Sequence, residues 1–221
     1  MPISIVFQNS NFAVVHKPVG TLSVPSRMGL KDPRPVAGLW LQDFLTQKIY
    51  PVHRLDEDVS GLLLFALTAE AASAGNKWFE SHKIVKTYEA ISIPVTEEDR
   101  KRWEQVQTWE CRLMRGKRRA YEASFGKPSV TKSKLVGATN DGRSIWHLQP
   151  ITGRAHQLRY EMSRHGFPID GDHLYGAKDS AKNTPGIDLC AFHLNFSHCP
   201  NYSQFNIPST LEISSLVKAT S

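Results

Sequence analysis

The amino-acid sequence predicts an α+β fold with a large mixed, mainly antiparallel β-sheet flanked by helices and loops. Short runs of β-branched and aromatic residues recur along the chain, and turn signals such as Asn140-Asp141-Gly142 separate them. Patterns typical of helices lie between these runs. No repeat, low-complexity segment or clear linker divides the 221 residues, so we expect one domain.

The chain begins with strand signals. Ser4–Phe7 and Phe12–His16 are joined by an Asn-Ser-Asn turn and predict a β-hairpin. Residues 26–35 contain two prolines and predict a loop. In Ala37–Lys48, apolar residues such as Phe44 recur at a helical period, so this segment is predicted to be a helix packed on the core.

A polar, charge-dense loop over residues 51–61 leads directly into the apolar run Leu62–Leu67. A nearly continuous apolar run of this length predicts a strand that is buried on both faces. Asp56 stands just ahead of this strand, where partial desolvation tunes a carboxylate for nucleophilic or acid–base chemistry. A solvated turn is the commoner fate of such a charged cluster, so the residues alone leave both interpretations open.

The remaining elements follow from helix caps, alternation and turn residues. Helices with threonine caps are predicted over Ala69–His82 and from Thr96 to about Val106, and a strand is predicted between them over Lys86–Ile93. Further along the chain the sequence predicts a hairpin with Gly116-Lys117 at its tip, strands over Ser129–Gly137, Arg143–Pro150 and Cys190–Phe196, a helix from Gly153 to about His165, and a short tail after Pro208.

The segment Thr152–Arg159 is a second candidate for chemistry. On a helix, Ala155, Leu158 and Arg159 share one face. The Thr-Gly-Arg start of this helix is expected to offer backbone N–H groups to an anion.

The formal net charge of +6 is concentrated in one part of the chain. Outside Cys111–Lys134, 19 of the 27 Lys and Arg residues stand against 20 of the 21 Asp and Glu residues, so the rest of the chain is nearly neutral. A single basic segment on a neutral body is the electrostatic pattern of a polyanion binder, and a solvated charged hairpin is the competing interpretation. The basic residues of this segment are Arg112, Arg115, Lys117, Arg118, Arg119, Lys127, Lys132 and Lys134.

Several classes of protein are disfavoured. Three cysteines without close spacing argue against a disulfide framework and for a cytoplasmic location. No apolar run is long enough for a membrane helix, and no signal peptide is evident at the start. The glycines form no phosphate-binding loop, so we expect no nucleotide cofactor. The spacing of Cys190, His193, His198 and Cys199 matches no zinc motif, so we expect no metal.

Six ordered segments together resemble the RluA-type RNA pseudouridine synthases. The segment HRLDEDVSGLLLFA is similar to the family's His-Arg-Leu-Asp signature. In family order over roughly residues 5–200, the other similar segments are VVHKPVGTLSVPS, KTYEA, GKPSVTKSKLV, ITGRAHQLRYEMSRHGFPIDGDHLYG and LCAFHLNFSHCP. One short motif is weak support, but six in order identify the chain as a member of the family.

The resemblance implies a role for each matched residue. Asp56 is the expected catalytic aspartate, Tyr88 packs against the target base and takes part in catalysis, and Arg159 pairs with the aspartate. Arg54 holds the substrate when the base is extruded, and Leu189 or Leu194 lines the pocket. The full set of predicted substrate-binding residues is Arg54, His53, Arg154, Leu194, Arg118 and Arg119.

The implied reaction converts a uridine in structured RNA, tRNA or rRNA, to pseudouridine without a cofactor. Because the target atom is inaccessible in a stacked helix, the nucleotide must be flipped out. The resemblance places one pseudouridine synthase catalytic domain over residues 1–221, with no separate N-terminal RNA-binding module, and implies no membrane and no protein partner. A catalytically silent RNA-binding or RNA-folding protein with the same fold is the alternative.

Overall fold

The computed structural model describes residues 2–177, 186–214 and 216 and contains eleven strands and four α-helices in those residues. The helices are α1 (Ala37–Leu45), α2 (Ala69–Glu80), α3 (Glu97–Trp103) and α4 (Gln157–Arg164). The strands are β1 (Ser4–Gln8), β2 (Phe12–Lys17), β3 (Tyr50–Pro51), β4 (Ser60–Ala66), β5 (Val85–Ser92), β6 (Gln107–Arg115), β7 (Ala120–Glu122), β8 (Lys127–Ala138), β9 (Ser144–Pro150), β10 (Leu189–Asn195) and β11 (Thr210–Glu212).

The chain forms two compact units, which are described separately. Unit 1 consists of Met1–Val85 and Ala191–Ile213, and unit 2 consists of Lys86–Cys190 and Ser214–Ser221. The single catalytic domain expected over residues 1–221 stays a prediction.

Unit 1 is built on the strand order β1-β2-β4-β10, with β3 paired to β4 and β11 paired to β10. The pair of β1 and β2 confirms the predicted N-terminal hairpin. β2 runs antiparallel to β4 with Phe12 opposite Ala66 and Lys17 opposite Gly61. After Ser60 every residue of β4 is buried, which confirms the strand predicted from the apolar run.

The two helices of unit 1 differ in how well their buried faces could be predicted. In α2 the Thr68 hydroxyl accepts the N–H of Ala71 at 3.1 Å, which confirms the predicted cap. In α1 the buried residues are the small Ala37 and Gly38 together with Leu41, whereas Phe44 is 62% exposed. The prediction that Phe44 belongs to the core-facing side of α1 was therefore wrong, because the close approach of this helix favours small side chains there.

The core of unit 1 contains Phe12, Trp78, Phe196 and Phe205. The ring of Trp78 stacks on that of Phe12 at 5.5 Å and meets the Phe205 ring edge-on at 5.6 Å. Strand β11, which lies in the predicted tail after Pro208, was missed. Its three residues are too few to show a period of two.

Unit 2 is an antiparallel sheet in the order β5-β9-β8-β6-β7. Gly142, with φ of +83°, lies in the predicted turn between β8 and β9. The described parts of both units therefore confirm an α+β fold built mainly on antiparallel strands.

An aromatic cluster forms the core on one face of the unit 2 sheet. The ring of Trp146 lies 4.9 Å from that of Phe167 and 5.7 Å from that of Trp103. The ring of Trp109 stacks on that of His165 at 4.2 Å. Both Trp103 and Trp109 are less than 10% exposed, so they pack in the core and are not available to stack on bases.

Within the described ranges, no helix has the length and apolar character needed to cross a membrane.

Gly61 of β4 supplies a first prediction. Its φ is +121°, and an added β-carbon would lie 2.4 Å from the carbonyl oxygen of Ala191, a backbone atom that cannot move aside cheaply. We expect Gly61→Ala to lower the free energy of unfolding by about 3 kcal/mol or more, since steric overlap adds to left-handed backbone strain. Urea denaturation measures this loss.

Gly142→Ala is the matched control, because Gly142 also has a positive φ but has no heavy atom within 4 Å of an added β-carbon. It should lose only about 1 kcal/mol through backbone strain. Equal losses for the two variants would contradict the steric argument.

Candidate active site

Asp56 lies in the irregular segment between β3 and β4 and is partly exposed. Its carbonyl oxygen accepts the N–H of Val59 at 3.1 Å, which closes a turn over residues 56–59. The side chain of Val59 is only 3% exposed and anchors this turn in the core. The predicted polar loop ahead of a buried strand is thus confirmed, and Asp56 keeps access to solvent.

Two buried side chains hold the backbone on either side of Asp56. The hydroxyl of Ser23 accepts the N–H of Leu55 and donates to the carbonyl oxygen of Leu55, both at 2.9 Å. On the other side, Nζ of Lys17 donates to the carbonyl oxygen of Glu57 at 3.2 Å. Asp56 therefore lies between two residues whose peptide groups are fixed from outside the loop.

Lys17 has no exposed surface. Besides Glu57, its ammonium group donates to the carbonyl oxygens of Pro18 at 3.0 Å and Thr21 at 2.8 Å, so three acceptors match its three donors. Burial lowers the pKa of Lys17 to about 8, and the negative charge of Asp56 is the largest of the effects that oppose this. The cation thus joins the segment after β2 to the loop that carries Asp56.

His53 fastens the beginning of the same loop to β4. Its ring stacks on the ring of Phe79 with centroids 4.5 Å apart, and its Nε2 accepts the N–H of Leu64 at 3.0 Å. That nitrogen is therefore unprotonated. Arg54 follows with an exposed side chain. The substrate contacts predicted for His53 and Arg54 stay predictions.

Arg34 adds an ion-pair link at the far side of the loop. It forms a salt bridge with Glu57 and also binds both carboxylate oxygens of Asp32, at 2.8 and 2.6 Å. The hydrogen bonds from Arg34 hold the pKa of Asp32 well below its usual range. Because Arg34 is partly exposed, this link is weaker than the buried contacts of Lys17.

In unit 2, Arg159 is 4% exposed and belongs to a bidentate ion pair with Asp172, which is 1% exposed. Nε and Nη2 of Arg159 donate to the two carboxylate oxygens at 2.7 and 2.8 Å. The ring of Tyr175 covers the guanidinium, with 5.4 Å from Cζ to the ring centroid. The pairing of Arg159 with the catalytic aspartate stays a prediction.

Tyr88 lies on β5 opposite Leu148 of β9 and is partly exposed, whereas its strand neighbours Thr87 and Glu89 are buried. A partly exposed aromatic ring on a strand is suited to pack against a flat base.

The segment before α4 differs from the prediction. The helix begins at Gln157, four residues later than predicted, because His156 adopts a left-handed conformation with φ of +52°. The N–H of Arg154 donates to Oε1 of Gln157 at 3.0 Å, and Nε of Arg154 donates to the carbonyl oxygen of Pro128 at 2.8 Å. The predicted helical face with Ala155 was wrong, and the Arg154 amide is already bound within the protein.

Gln157 organises this segment from a buried position, being 3% exposed. Its Oε1 also accepts the hydroxyl of Thr152 at 2.8 Å, and its Nε2 donates to the Val130 carbonyl and the Thr131 hydroxyl, both at 2.9 Å. The turn before α4 is thereby attached to β8.

The basic hairpin, defined as β6, β7 and the tip residues 116–119, confirms the predicted hairpin. The N–H of Gly116 donates to the carbonyl of Arg119 at 3.0 Å, and the side chains of Lys117, Arg118 and Arg119 are exposed. Three adjacent exposed cations therefore project from a closed turn.

Leu189 and Leu194, both on β10, are 2% and 1% exposed. Leu194 belongs to the hydrophobic core of unit 1 and lies opposite Leu211 of β11. The structure thus gives Leu194 a packing role, and its predicted contact with substrate stays a prediction.

In the part of the chain that the structure describes, no three His, Cys, Asp or Glu side chains are grouped to hold a metal ion.

Comparison with known proteins gives the class of the molecule. The family model described as RNA pseudouridylate synthase matches residues 11–164. An uncharacterized RNA pseudouridine synthase from Haemophilus influenzae is 33% identical over 211 residues, covering 91% of this chain and 85% of the relative. The dual-specificity RNA pseudouridine synthase RluA of Vibrio vulnificus is 33% identical over 214 residues, covering 88% and 77%.

Two solved human structures show the same fold. RNA Pseudouridylate Synthase Domain Containing 1 has a TM-score of 0.72 at 24% identity, covering 97% of this chain and 83% of that one. RNA Pseudouridylate Synthase Domain Containing 4 has a TM-score of 0.70 at 21% identity, covering 96% of this chain and 88% of that one. The predicted pseudouridine synthase fold is therefore confirmed.

These matches define an isomerase that acts on RNA. The chain belongs to the RNA pseudouridylate synthase family. The predicted resemblance to RluA-type enzymes and the prediction of an RNA pseudouridine synthase are both confirmed.

Sequence reasoning missed the residues that hold the site in place. Lys17 and Ser23 lie in a segment that was matched to the family without a role for either side chain. Gln157, Asp172 and Tyr175 likewise lie inside the longest matched segment. One feature of the sequence could have pointed to them: they are polar residues inside segments matched to the family, and none of them has an assigned chemical role.

The low pKa of Lys17 predicts a pH effect on stability. Between its folded value of about 8 and its ordinary value of 10.5, the unfolded chain holds a proton that the folded chain releases. The contribution of Lys17 to the free energy of unfolding must therefore rise with pH across this window, by roughly 3 kcal/mol in total.

Lys17→Met removes the titrating group and leaves a side chain of similar length. Urea denaturation between pH 7.5 and 10 should show the wild type gaining stability relative to Lys17→Met as the pH rises. Lys77→Met, which removes an exposed charge of α2, controls for the loss of one cation. Wild-type and Lys17→Met curves that run parallel would contradict the argument.

Proposed function

We propose that the protein isomerises a specific uridine in a structured RNA to pseudouridine, with Asp56 as the catalytic aspartate. The observation that carries this proposal is that hydrogen bonds fix the backbone on both sides of Asp56. Buried Ser23 and Lys17 fix the residues on either side, while the carboxylate itself stays partly exposed. A catalytic group held by its surroundings and open to substrate is the arrangement that this chemistry needs.

The reaction breaks the bond between the ribose and a ring nitrogen, turns the uracil, and rejoins it through a ring carbon. The nitrogen gains a proton and the carbon loses one, so no redox change, phosphoryl transfer or net hydrolysis is involved. Asp56 begins the reaction by adding to the base, by adding to the ribose, or by assisting removal of a ribose proton. All three routes need an ionised carboxylate within reach of the flipped nucleotide.

Tyr88 and Arg159 complete the proposed catalytic set. Tyr88 presents a flat, partly exposed ring from β5 against which the detached base packs. Arg159 supplies a guanidinium whose N–H groups are proposed to pair with the aspartate. No cofactor takes part.

The RNA is held by the basic residues, and flipping the uridine costs a few kcal/mol that backbone contacts offset. Arg118 and Arg119 at the tip of the basic hairpin are the first candidates for phosphate contacts, and Arg54, His53 and Arg154 are further candidates for contacts with the substrate. The proposed substrate class is tRNA or rRNA. The names of the relatives support RNA in general and tRNA in particular: one is a dual-specificity RNA pseudouridine synthase, and another, from Vibrio parahaemolyticus, is a tRNA pseudouridine synthase C that is 32% identical over 182 residues. The three cysteines, none of which forms a disulfide among the described residues, favour action in the cytoplasm.

Asp56→Asn should abolish pseudouridine formation, because an amide cannot act as the nucleophile or base. Purified wild-type protein is incubated with total tRNA and rRNA that lack the modification, and pseudouridine is mapped at single-nucleotide resolution. The matched control is Asp58→Asn, two residues along the same loop, which should keep activity within about threefold, less than one kcal/mol in the barrier.

The silent RNA-binding alternative makes the opposite prediction. It expects no new pseudouridine in any RNA pool and expects Asp56→Asn to remodel RNA and support the cell as well as the wild type does. Full activity in Asp56→Asn would likewise contradict the role of Asp56.

The double change Arg118→Ala with Arg119→Ala should weaken RNA binding and its dependence on salt. Losing two phosphate contacts should reduce the slope of log K against log salt by roughly 1.5. The change spares the fold, since both side chains are exposed. Binding is measured by fluorescence anisotropy across a salt titration.

Lys77→Ala with Lys83→Ala removes the same charge from exposed positions near α2 and is the control. The slope should change much less in this variant. An unchanged slope in the double arginine variant would remove the basic hairpin from the RNA interface.

A further inference from the structure

We infer that Asp172 and Tyr175 are positioning residues, which orient the guanidinium of Arg159 and join it to the basic hairpin. The inference rests on the proposed function and deepens it. Asp172 directly precedes the short 3-10 turn His173–Tyr175, which follows α4, and Tyr175 is the last residue of that turn.

The ion pair fixes the plane of the Arg159 guanidinium. Asp172 binds it along one edge through Nε and Nη2, which uses two of the five N–H donors. The other three donors, two on Nη1 and one on Nη2, point away from Asp172 because the group is planar. These three N–H groups therefore approach a substrate oxygen or a second carboxylate on that side from a fixed direction.

Burial decides what the pair does electrostatically. Arg159 and Asp172 are both less than 5% exposed, so the carboxylate compensates most of the guanidinium's charge. Arg159 consequently acts as a directed set of donors more than as a free cation. The ring of Tyr175, over the guanidinium face, limits its rotation.

The turn that carries Asp172 and Tyr175 is anchored independently of Arg159. The hydroxyl of Ser163 on α4 donates to the Tyr175 carbonyl at 2.6 Å, and the N–H of Asp172 donates to the Ile169 carbonyl at 2.9 Å. Just before the turn, Asp170 forms a salt bridge with Arg143. The orientation of Arg159 is thus imposed on it by a preformed structure.

Tyr175 also contacts the basic hairpin. Its hydroxyl oxygen accepts the N–H of Ala120 at 2.6 Å and lies 3.1 Å from Nδ1 of His156. Ala120 is the first residue of β7, the last strand in the order of the unit 2 sheet, and directly follows Arg119. One hydroxyl therefore links the base of the RNA-docking tip to the turn that holds Arg159.

A second contact ties the hairpin to α4 itself. The hydroxyl of Tyr160 donates to the carboxylate of Glu122 on β7 at 3.2 Å, and Tyr160 is the neighbour of Arg159. Strand β7, which follows the tip, and Arg159 are thus linked by one connected set of contacts. Tyr175 therefore sets the position of RNA bound at the tip relative to Arg159.

Asp172→Asn tests the orientation of Arg159. It keeps the size of the side chain but removes the charge and one acceptor, so the guanidinium loses its fixed plane. In single-turnover reactions with saturating RNA, the rate should fall roughly 100-fold, the usual effect of a misplaced group, while the Kd for RNA stays within about threefold. The Nε–H signal of Arg159 in ¹⁵N NMR should exchange with water faster than in the wild type.

Asp172→Glu covers the possibility that Asp172→Asn does not fold, since it keeps the charge at a shifted position. It should retain a rate between those of the wild type and of Asp172→Asn. A folded Asp172→Asn protein that reacts at the wild-type rate would overturn the orienting role. The same holds if Asp172→Glu reacts at the wild-type rate and its Nε–H signal is unchanged.

Tyr175→Phe tests the link to the hairpin, because it keeps the ring over Arg159 and removes only the hydroxyl. Hydrogen exchange at the Ala120 amide should become faster, and the Kd for RNA should rise about fivefold, the effect of losing one hydrogen bond that orders the docking surface. The rate at saturating RNA should stay within about twofold. His173→Ala, an exposed position on the same turn, is the control and should change neither measurement.

The outcomes separate this inference from the proposed function. Unchanged exchange at Ala120 and an unchanged Kd in Tyr175→Phe would overturn the link even if the enzyme is fully active. A wild-type protein that forms no pseudouridine would overturn the proposed function, and the NMR, exchange and binding measurements would still decide whether the two residues hold Arg159 and the hairpin.

Discussion

The burial of one ammonium group is the constraint on which the Asp56 loop depends. A buried cation is costly unless every donor finds an acceptor, and Lys17 meets this condition with three carbonyl oxygens. Two of those acceptors lie in the segment after β2 and the third lies in the loop that carries Asp56. Separating the two segments would therefore leave a buried donor of Lys17 without an acceptor. The exposed part of the loop, including Arg54, is therefore supported by buried contacts within the protein.

Unit 2 meets the same constraint in a different way. The carboxylate of Asp172 pairs with the charge of Arg159 in a planar bidentate arrangement. Carbonyl oxygens around an ammonium group fix the position of its nitrogen but give the group no single orientation. A carboxylate paired along one edge of a guanidinium fixes both the position of the group and the orientation of its plane. The residue types thus follow the tasks: Lys17 anchors a loop, and Arg159 presents donors in a set direction.

Local patterns predicted the elements, and long-range contacts decided the rest. The buried strand β4 could be predicted because its apolar run is continuous, and the caps of α2 and α3 because a threonine precedes each helix. The start of α4 could not be predicted, because His156 takes a left-handed conformation beside the Tyr175 hydroxyl, 19 residues further on. The exposure of Phe44 likewise depends on how closely α1 approaches the sheet, which a helical period does not reveal.

The matched segments mix two kinds of polar residue that a sequence does not distinguish. Asp56 and Tyr88, which are proposed to act on the substrate, are partly exposed, while Lys17, Gln157 and Asp172 are almost wholly buried and are bound by other groups of the protein. Because both kinds are polar and both occur in motifs, only burial and hydrogen-bond partners separate them. Arg159 shares features of both kinds, since it is buried and paired like a structural residue, yet the proposed function gives it a part in catalysis, and its orientation by Asp172 therefore bears on that proposal.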